Sequence, residues 1–152
     1  MTDAALVWNA DAWHADIGIE RGAVVLDDGL RTAILISLFT DARAPADAEL
    51  PEQSADRRGW WGDDFPVSEA KRGETGSLLW LLARSKITQA TINRAREYAR
   101  AALAWLLADG IASRLDVQVE AQDGQRMAIR VELDRPQGPS RELYDYVWEA
   151  SA

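Results

Sequence analysis

The chain has 152 residues, 47% of them apolar, with a formal net charge of −8 and no cysteine. That length suits one domain with a modest core, and that apolar content excludes a disordered polypeptide. The missing cysteine removes disulfides, thiol nucleophiles and thiolate-bound zinc together, the single histidine, His14, excludes a His-rich metal site, and the acidity argues against phosphate-backbone binding, which needs clustered Lys and Arg.

In chain order, Met1-Thr2-Asp3-Ala4 offers neither a basic n-region nor a following apolar stretch, so no signal peptide is expected. No apolar run is long enough to span a membrane. His14 sits in Trp8-Asn9-Ala10-Asp11-Ala12-Trp13-His14-Ala15-Asp16. Asp11 or Asp16 could orient it as a general base. No Gly-x-Ser-x-Gly elbow accompanies it, and an ordinary surface or half-buried histidine is the better reading. Asp27-Asp28-Gly29 then precedes Leu30, Ala33, Ile34, Ser37 and Leu38. That spacing predicts a short amphipathic helix with acids at its N-terminus, although Thr32, Ile34 and Ile36 leave a strand open. Residues 40–54 are rich in Pro, Ala and acid and read as a loop.

The most unusual string is Asp56-Arg57-Arg58-Gly59-Trp60-Trp61-Gly62-Asp63-Asp64-Phe65-Pro66. Two tryptophans between glycines could stack a sugar, with Asp63 and Asp64 as a carboxylate pair. Adjacent side chains diverge, however, whereas a retaining pair must face one another about 5 Å apart. A loop pinned to the core by its aromatics is the stronger reading, with glycines allowing unusual backbone angles. Gly73-Glu74-Thr75-Gly76-Ser77 lacks the lysine of a phosphate-binding loop, and Lys71-Arg72 lies on the wrong side of it. Asp11, Asp16, Asp27, Asp28, Asp63 and Asp64 do not have the spacing of an EF-hand calcium loop.

A second short helix is expected from Ser77 through Ala83, capped by Ser77. The clearest element runs from Thr88, a suitable N-cap, to Ala108. Ile92, Ala95, Ala99, Leu103 and Leu106 form one apolar stripe along it, and Gly110 suits a left-handed end. Next, Leu115, Val117, Val119 and Ala121 alternate with polar residues, as do Met127, Ile129, Val131 and Leu133. Asp123-Gly124 between them has the composition of a tight hairpin turn. Beyond Pro136, Gly138 and Pro139, the run Leu143-Tyr144-Asp145-Tyr146-Val147-Trp148 favours a strand, with Tyr144, Tyr146 and Trp148 on one face. Seven tryptophans are spread along the chain. Core filling accounts for most of them, with interface anchoring for the remainder.

Taken in order, these features resemble the Mu-like phage baseplate protein family, relatives of the small wedge protein that initiates the sheath of contractile tails. The carrying segments are Leu30 to Ala44, the string Arg58-Gly59-Trp60-Trp61-Gly62-Asp63, Gly76 to Leu82, and Tyr98 to Gly110 followed by the hairpin to Leu133. The resemblance implies an α/β (α+β) fold. In it a long amphipathic helix packs on a C-terminal antiparallel hairpin sheet, and N-terminal helices and an aromatic loop complete the core. Residues 1–152 then form a single domain, with 136–152 a candidate C-terminal strand arm.

The resemblance further implies a structural, non-enzymatic part of the tail baseplate with no cofactor and no metal. It would be made in the host cytoplasm and carried in the virion. The partners implied are other wedge proteins and the sheath subunit, with neither nucleic acid nor membrane. Several copies would form a ring, each a monomer or small oligomer when isolated. Strand pairing with sheath subunits would draw on Val117, Val119, Ile129, Val131, Tyr144, Tyr146 and Trp148, while Arg58, Gly59, Trp60, Trp61, Gly62 and Asp63 form the structural loop. Wedge relatives dock through a Glu-Pro-Arg motif. The corresponding place here reads Ala108-Asp109-Gly110-Ile111, with Arg114 the nearest basic residue, so those docking residues do not carry over. The alternatives are a tail-borne peptidoglycan hydrolase and the equivalent part of a bacterial contractile secretion system.

Overall fold

The computed structural model describes residues 3–9, 14–27, 29–51, 55–65, 74–137 and 141–150. Asp11, Trp13, Asp28, Lys71, Arg72, Gly73, Gly138 and Pro139 lie outside them. Residues 3–9 and 14–27, unassigned by periodicity, are largely extended. β1 (Asp3–Ala4) pairs antiparallel with β6 (Leu26–Asp27), β2 (Leu6–Asn9) with β3 (His14–Ile17), and β4 (Ile19–Glu20) with β5 (Ala23–Val24).

The three ladders meet at Ala5, Gly18 and Val25. Ala5 N–H donates to the Val25 carbonyl at 2.8 Å, Val25 N–H to the Gly18 carbonyl at 2.8 Å, and Gly18 N–H to the Ala5 carbonyl at 2.9 Å. This closed ring of bonds satisfies the main chain where strands change partner. A Cβ on Gly18 would lie 3.1 Å from Val7 Cγ2 and 3.2 Å from Val25 Cβ, so the junction favours glycine. Between β4 and β5, Arg21 and Gly22 both have positive φ, 49° and 80°, as a primed two-residue hairpin turn requires.

Of the two acids before the predicted helix, Asp27 bonds to the main chain at its start. In α1 (Arg31–Phe39), Asp27 accepts from Gly29 N–H at 2.9 Å and from Thr32 N–H at 2.7 Å. Burial pushes the Asp27 carboxyl up, but the bonds from Thr32 and Gly29, with Arg31 nearby, outweigh it and hold the pKa below the usual aspartate value. Thr32 Oγ1 accepts from Leu6 N–H at 3.1 Å and donates to the Ala4 carbonyl at 3.4 Å, fastening the β ribbon to the helix. Ile34, Leu35 and Leu38 face the core.

After the loop that begins at Thr40, the expected second helix is one 3-10 turn, Leu79–Leu82. Ser77 caps it as expected, accepting from Leu79 N–H at 3.2 Å. Its hydroxyl also donates to the Leu38 carbonyl at 2.6 Å, and its N–H to the Thr40 carbonyl at 2.8 Å. Gly76, at φ +104°, lets this crossing happen, because a Cβ there would meet the Thr40 carbonyl oxygen at 2.2 Å. So tied at its start, the segment has room for one tight turn only.

The long helix is divided. α2 (Gln89–Leu103) begins at the expected Thr88 cap, whose Oγ1 accepts from Thr91 N–H at 3.3 Å. At Ala104 the bonding tightens to three-residue steps before α3 (Trp105–Ala108). There the Trp105 indole donates to Ser37 Oγ on α1 at 3.1 Å. Gly110 ends the helical segment at φ +69°.

β7 (Arg114–Ala121), β8 (Arg126–Asp134) and β9 (Glu142–Glu149) form a three-stranded antiparallel sheet with β8 in the centre. The connection at 122–125 is longer than the two-residue turn expected. Asp123 Oδ1 accepts from the N–H groups of Gln125 and Arg126, both at 2.8 Å, so a side-chain turn replaces the left-handed one. Ala95, Ala99, Leu103 and Leu106 bury against the inner sheet face, as the stripe predicted. The opposite face carries ion pairs, including Arg130–Asp145 at 2.7 Å and Arg126–Glu149 at 3.2 Å. The mixture of helix and antiparallel sheet is the expected α+β class, with a β ribbon over a region to which periodicity assigned no element.

Two outcomes test this account. Leu103 is fully buried between helix and sheet; Leu103→Ala should lower stability by about 2–5 kcal/mol in urea unfolding. Asp27 has a lowered folded pKa, so its contribution is complete above about pH 3.9 and fades as pH falls through the folded value. The stability difference between wild type and Asp27→Asn should be constant near neutrality and shrink in acid titration.

Candidate assembly surface

The seven strand residues expected to meet partners all lie on one face of the sheet. Val117, Val119, Ile129, Val131, Tyr144, Tyr146 and Trp148 are each buried in the core. Their side chains are occupied within the chain. Phe39 stacks on Trp8 at 4.7 Å and meets Tyr146 edge-on at 5.8 Å. Tyr146 Oη donates to the Arg31 carbonyl at 3.1 Å, and Tyr144 Oη accepts from Leu30 N–H at 3.2 Å while donating to Glu142. Burial, then the bond to Glu142, raises the Tyr144 hydroxyl pKa, and burial raises that of Tyr146.

Main-chain groups tell a different story. Gln122 N–H bonds to the Arg126 carbonyl at 2.9 Å and Ala150 N–H to the Gln125 carbonyl at 2.7 Å. Hydrogen-bonded pairs alternate in an antiparallel ladder, so even-numbered residues of β8 bond to β7 and odd-numbered ones to β9. With Tyr144 opposite Val131, β9 turns the N–H and C=O of Leu143, Asp145 and Val147 away from the sheet. By the same phase β7 turns those of Val117 and Val119 outward. Among the described residues no strand pairs with either outer edge. A cleft of about 700 Å³ lies between the ribbon, at Val7, Val25 and Leu26, and the sheet, where Ala128 and Arg130 of β8 line it together with Asp145 and Val147 of β9.

The aromatic loop is fixed by its polar residues and glycines, and its aromatics point outward. This reverses the expectation that the tryptophans pin it. Arg58, at φ +53°, pairs with Asp41 at 2.7 Å and lies over the Trp80 ring at 4.4 Å. Gly59, at φ +105°, packs where a Cβ would meet Arg43 Cβ at 2.9 Å. Gly62 gives its surface to the Trp60 ring, which would lie 2.3 Å from a Cβ. Trp61–Asp64 forms a 3-10 turn. Asp63 Oδ2 accepts from Thr75 N–H at 2.9 Å and Oδ1 from Thr75 Oγ1 at 2.8 Å, so this carboxylate is engaged as a brace. Of the other tryptophans, Trp80 and Trp148 are buried, and Trp8 and Trp105 are half-buried against the core. Trp60 and Trp61 remain 45% and 73% exposed. His14 sits in β3 opposite Asn9 at an exposed position. Among the described residues, no group of three or more His, Asp or Glu could hold a metal ion.

The family model of Phage protein GP46 matches residues 30–140, from the entry of α1 past β8. The chain belongs to this phage protein family. It is similar to Baseplate protein gp46 of Escherichia phage Mu, 41% identical over 138 residues, which is 91% of this chain and 90% of that one. It is also similar to Mu-like prophage FluMu protein gp46 of Haemophilus influenzae, 38% identical over 133 residues, 88% of this chain and 85% of the relative. Within the GP46 span lie α1, the aromatic loop, the divided helix and the β7–β8 hairpin, the segments on which the resemblance rested.

In this GP46 chain the loop's brace is a specific dependence. Asp63→Ala should cost about 1 kcal/mol of stability. It should also speed chymotryptic cleavage between Trp60 and Phe65 several-fold, read by mass spectrometry of the fragments.

Proposed function

We propose that this chain is a structural subunit of a contractile phage-tail baseplate, docking on the wedge and templating the first sheath subunits by β-strand pairing. Supporting the coarser part is the similarity to a Mu protein that bears the name baseplate protein. Supporting the finer part is one observation, the outward main-chain edge of β9, which no strand pairs with among the described residues. An added strand gains main-chain hydrogen bonds from such an edge, and alternate side chains fix its register. An unpaired edge is ordinarily an aggregation hazard; in an assembly subunit it becomes the working surface.

In this reading the seven inner-face residues act from beneath. Tyr144, Tyr146 and Trp148 anchor β9 to the core and so hold its edge in place, while Val117 and Val119 lend main-chain groups on the opposite edge. The chain works as one domain. Its segment 136–152 contributes β9 as the presented strand. Copies held in a ring around the tail would offer these edges in the spacing the sheath adopts. The subunit is made in the host cytoplasm and ends in the virion, and its work needs no catalytic step.

Quantitative mass spectrometry of purified contractile particles tests the role. A few copies per tail, well below the sheath subunit, are expected; absence from intact particles would sink the reading. The strand mechanism has its own test in Asp145→Pro. That change removes an outward N–H while sparing the main-chain bonds to β8, since proline is tolerated on an edge; Asp145→Ala, which loses only the ion pair with Arg130, is the control. Particles complemented with Asp145→Pro should retain the subunit but carry at least tenfold fewer assembled sheaths by electron microscopy. Normal sheath numbers would reject strand pairing at β9.

A further inference from the structure

Among the described residues the exposed aromatics of the loop make ring contacts only with each other, the Trp60 and Trp61 rings lying tilted with centroids 5.6 Å apart. Trp61 is 73% exposed and Phe65 76%, and they flank one 3-10 turn. Neighbouring large rings left open to water form an apolar patch of the kind that marks an interaction site, unlike apolar side chains exposed singly. The turn that carries them is nonetheless held at several points: Arg58 to Asp41 and Trp80, Gly59 against Arg43, Gly62 against Trp60, and Asp63 to Thr75. None of these bonds touches the Trp61 or Phe65 ring. A loop that merely covered the core would have its aromatics turned the other way.

We infer that Trp61 and Phe65 form a preformed anchor that inserts into an apolar pocket on a different baseplate protein, one whose rim is basic. Rigid aromatic side chains dominate interface energetics. A loop already fixed in shape loses little conformational entropy on docking. The nature of the rim follows from charge. In the loop Arg57 is engaged by the Pro45 and Ala48 carbonyls and Arg58 by Asp41, which leaves Asp64, next to Phe65 in sequence, and Asp56 as its exposed charges, and the chain as a whole carries −8. A second copy would bring like charge to the contact, whereas lysines or arginines around a partner's pocket would complement it. This contact rests on the baseplate role proposed above but is separate from the strand edge. It involves neither β7 nor β9.

The test uses particles from a strain lacking the gene, complemented with full-length variants. Trp61→Ser/Phe65→Ser removes the anchor, Asp64→Lys reverses the rim charge, and Leu107→Ser is the control at another exposed apolar residue. Thermal unfolding of each purified variant verifies folding; should the double variant not fold, Trp61→Ser alone is read in the same way. The expected result is wild-type incorporation for Leu107→Ser and at least tenfold lower incorporation for the anchor variant, with Asp64→Lys also lowered.

Undiminished incorporation of the anchor variant, with wild type present in the same preparations, would overturn the anchor while leaving the baseplate role intact. Undiminished incorporation of Asp64→Lys would overturn the basic rim. Absence of wild type from particles would overturn both readings. Sedimentation of the isolated protein separates the remaining case: a wild-type dimer that Trp61→Ser converts to monomer would make a second copy the occupant and overturn the heterologous partner.

Discussion

The hydroxyl groups of two tyrosines on the last strand hold the molecule together as a unit. Tyr144 and Tyr146 lie on the buried face of β9, yet their hydroxyls reach the first turn of α1, at Leu30 and Arg31. The same turn receives Asp27 on two N–H groups and returns the Thr32 hydroxyl to the ribbon. One helix entry thus joins the N-terminal ribbon, the helical layer and the C-terminal sheet. Buried polar groups are costly unless paired, and here their pairing sets the position of every layer. The aromatic stack from Trp8 through Phe39 to Tyr146 fills the space beneath.

How much of this was legible in the sequence follows from the length of each signal. The α2 stripe and the alternation of β7 and β8 each extend over many residues, so periodicity found them, and the aromatic alternation of 144–148 found β9. The ribbon escaped because β1, β4, β5 and β6 are two residues each, too short for a period to show. Its remaining signal was Arg21-Gly22 between Ile19 and Val24, a hairpin turn that lacks the usual asparagine or aspartate. The break at Ala104 was illegible for another reason: nothing local marks it, and it coincides with a bond from Trp105 to Ser37, 68 residues away.

The candidate surface was legible in part. The strands were found, but alternation identifies the side chains that face the core, and those are the ones a partner does not reach. The phase of hydrogen bonding decides which main-chain groups are free, and it is fixed by a ladder register that composition does not encode. In the aromatic loop the unusual string was visible, whereas its orientation depended on Asp41, Arg43, Thr75 and Trp80, all distant in sequence. Once those contacts are known, each of Arg58, Gly59, Gly62 and Asp63 has a local task, and Trp61 is left over.

The tyrosine link also bears on biosynthesis. The bonds that fix the entry of α1 come from residues 114 and 115 positions later in the chain. A nascent polypeptide still threading through the ribosome has its first helix and ribbon in the open, joined to each other through Asp27 and Thr32 but not yet to the sheet. Contacts of such long range form late because the intervening chain must first be closed into a loop. The edge of β9 becomes available only when that same strand has clamped the N-terminal half. Docking of β9 and fixation of the N-terminal half are therefore one folding event, and the sheet gains its third strand at the moment the helix entry is secured.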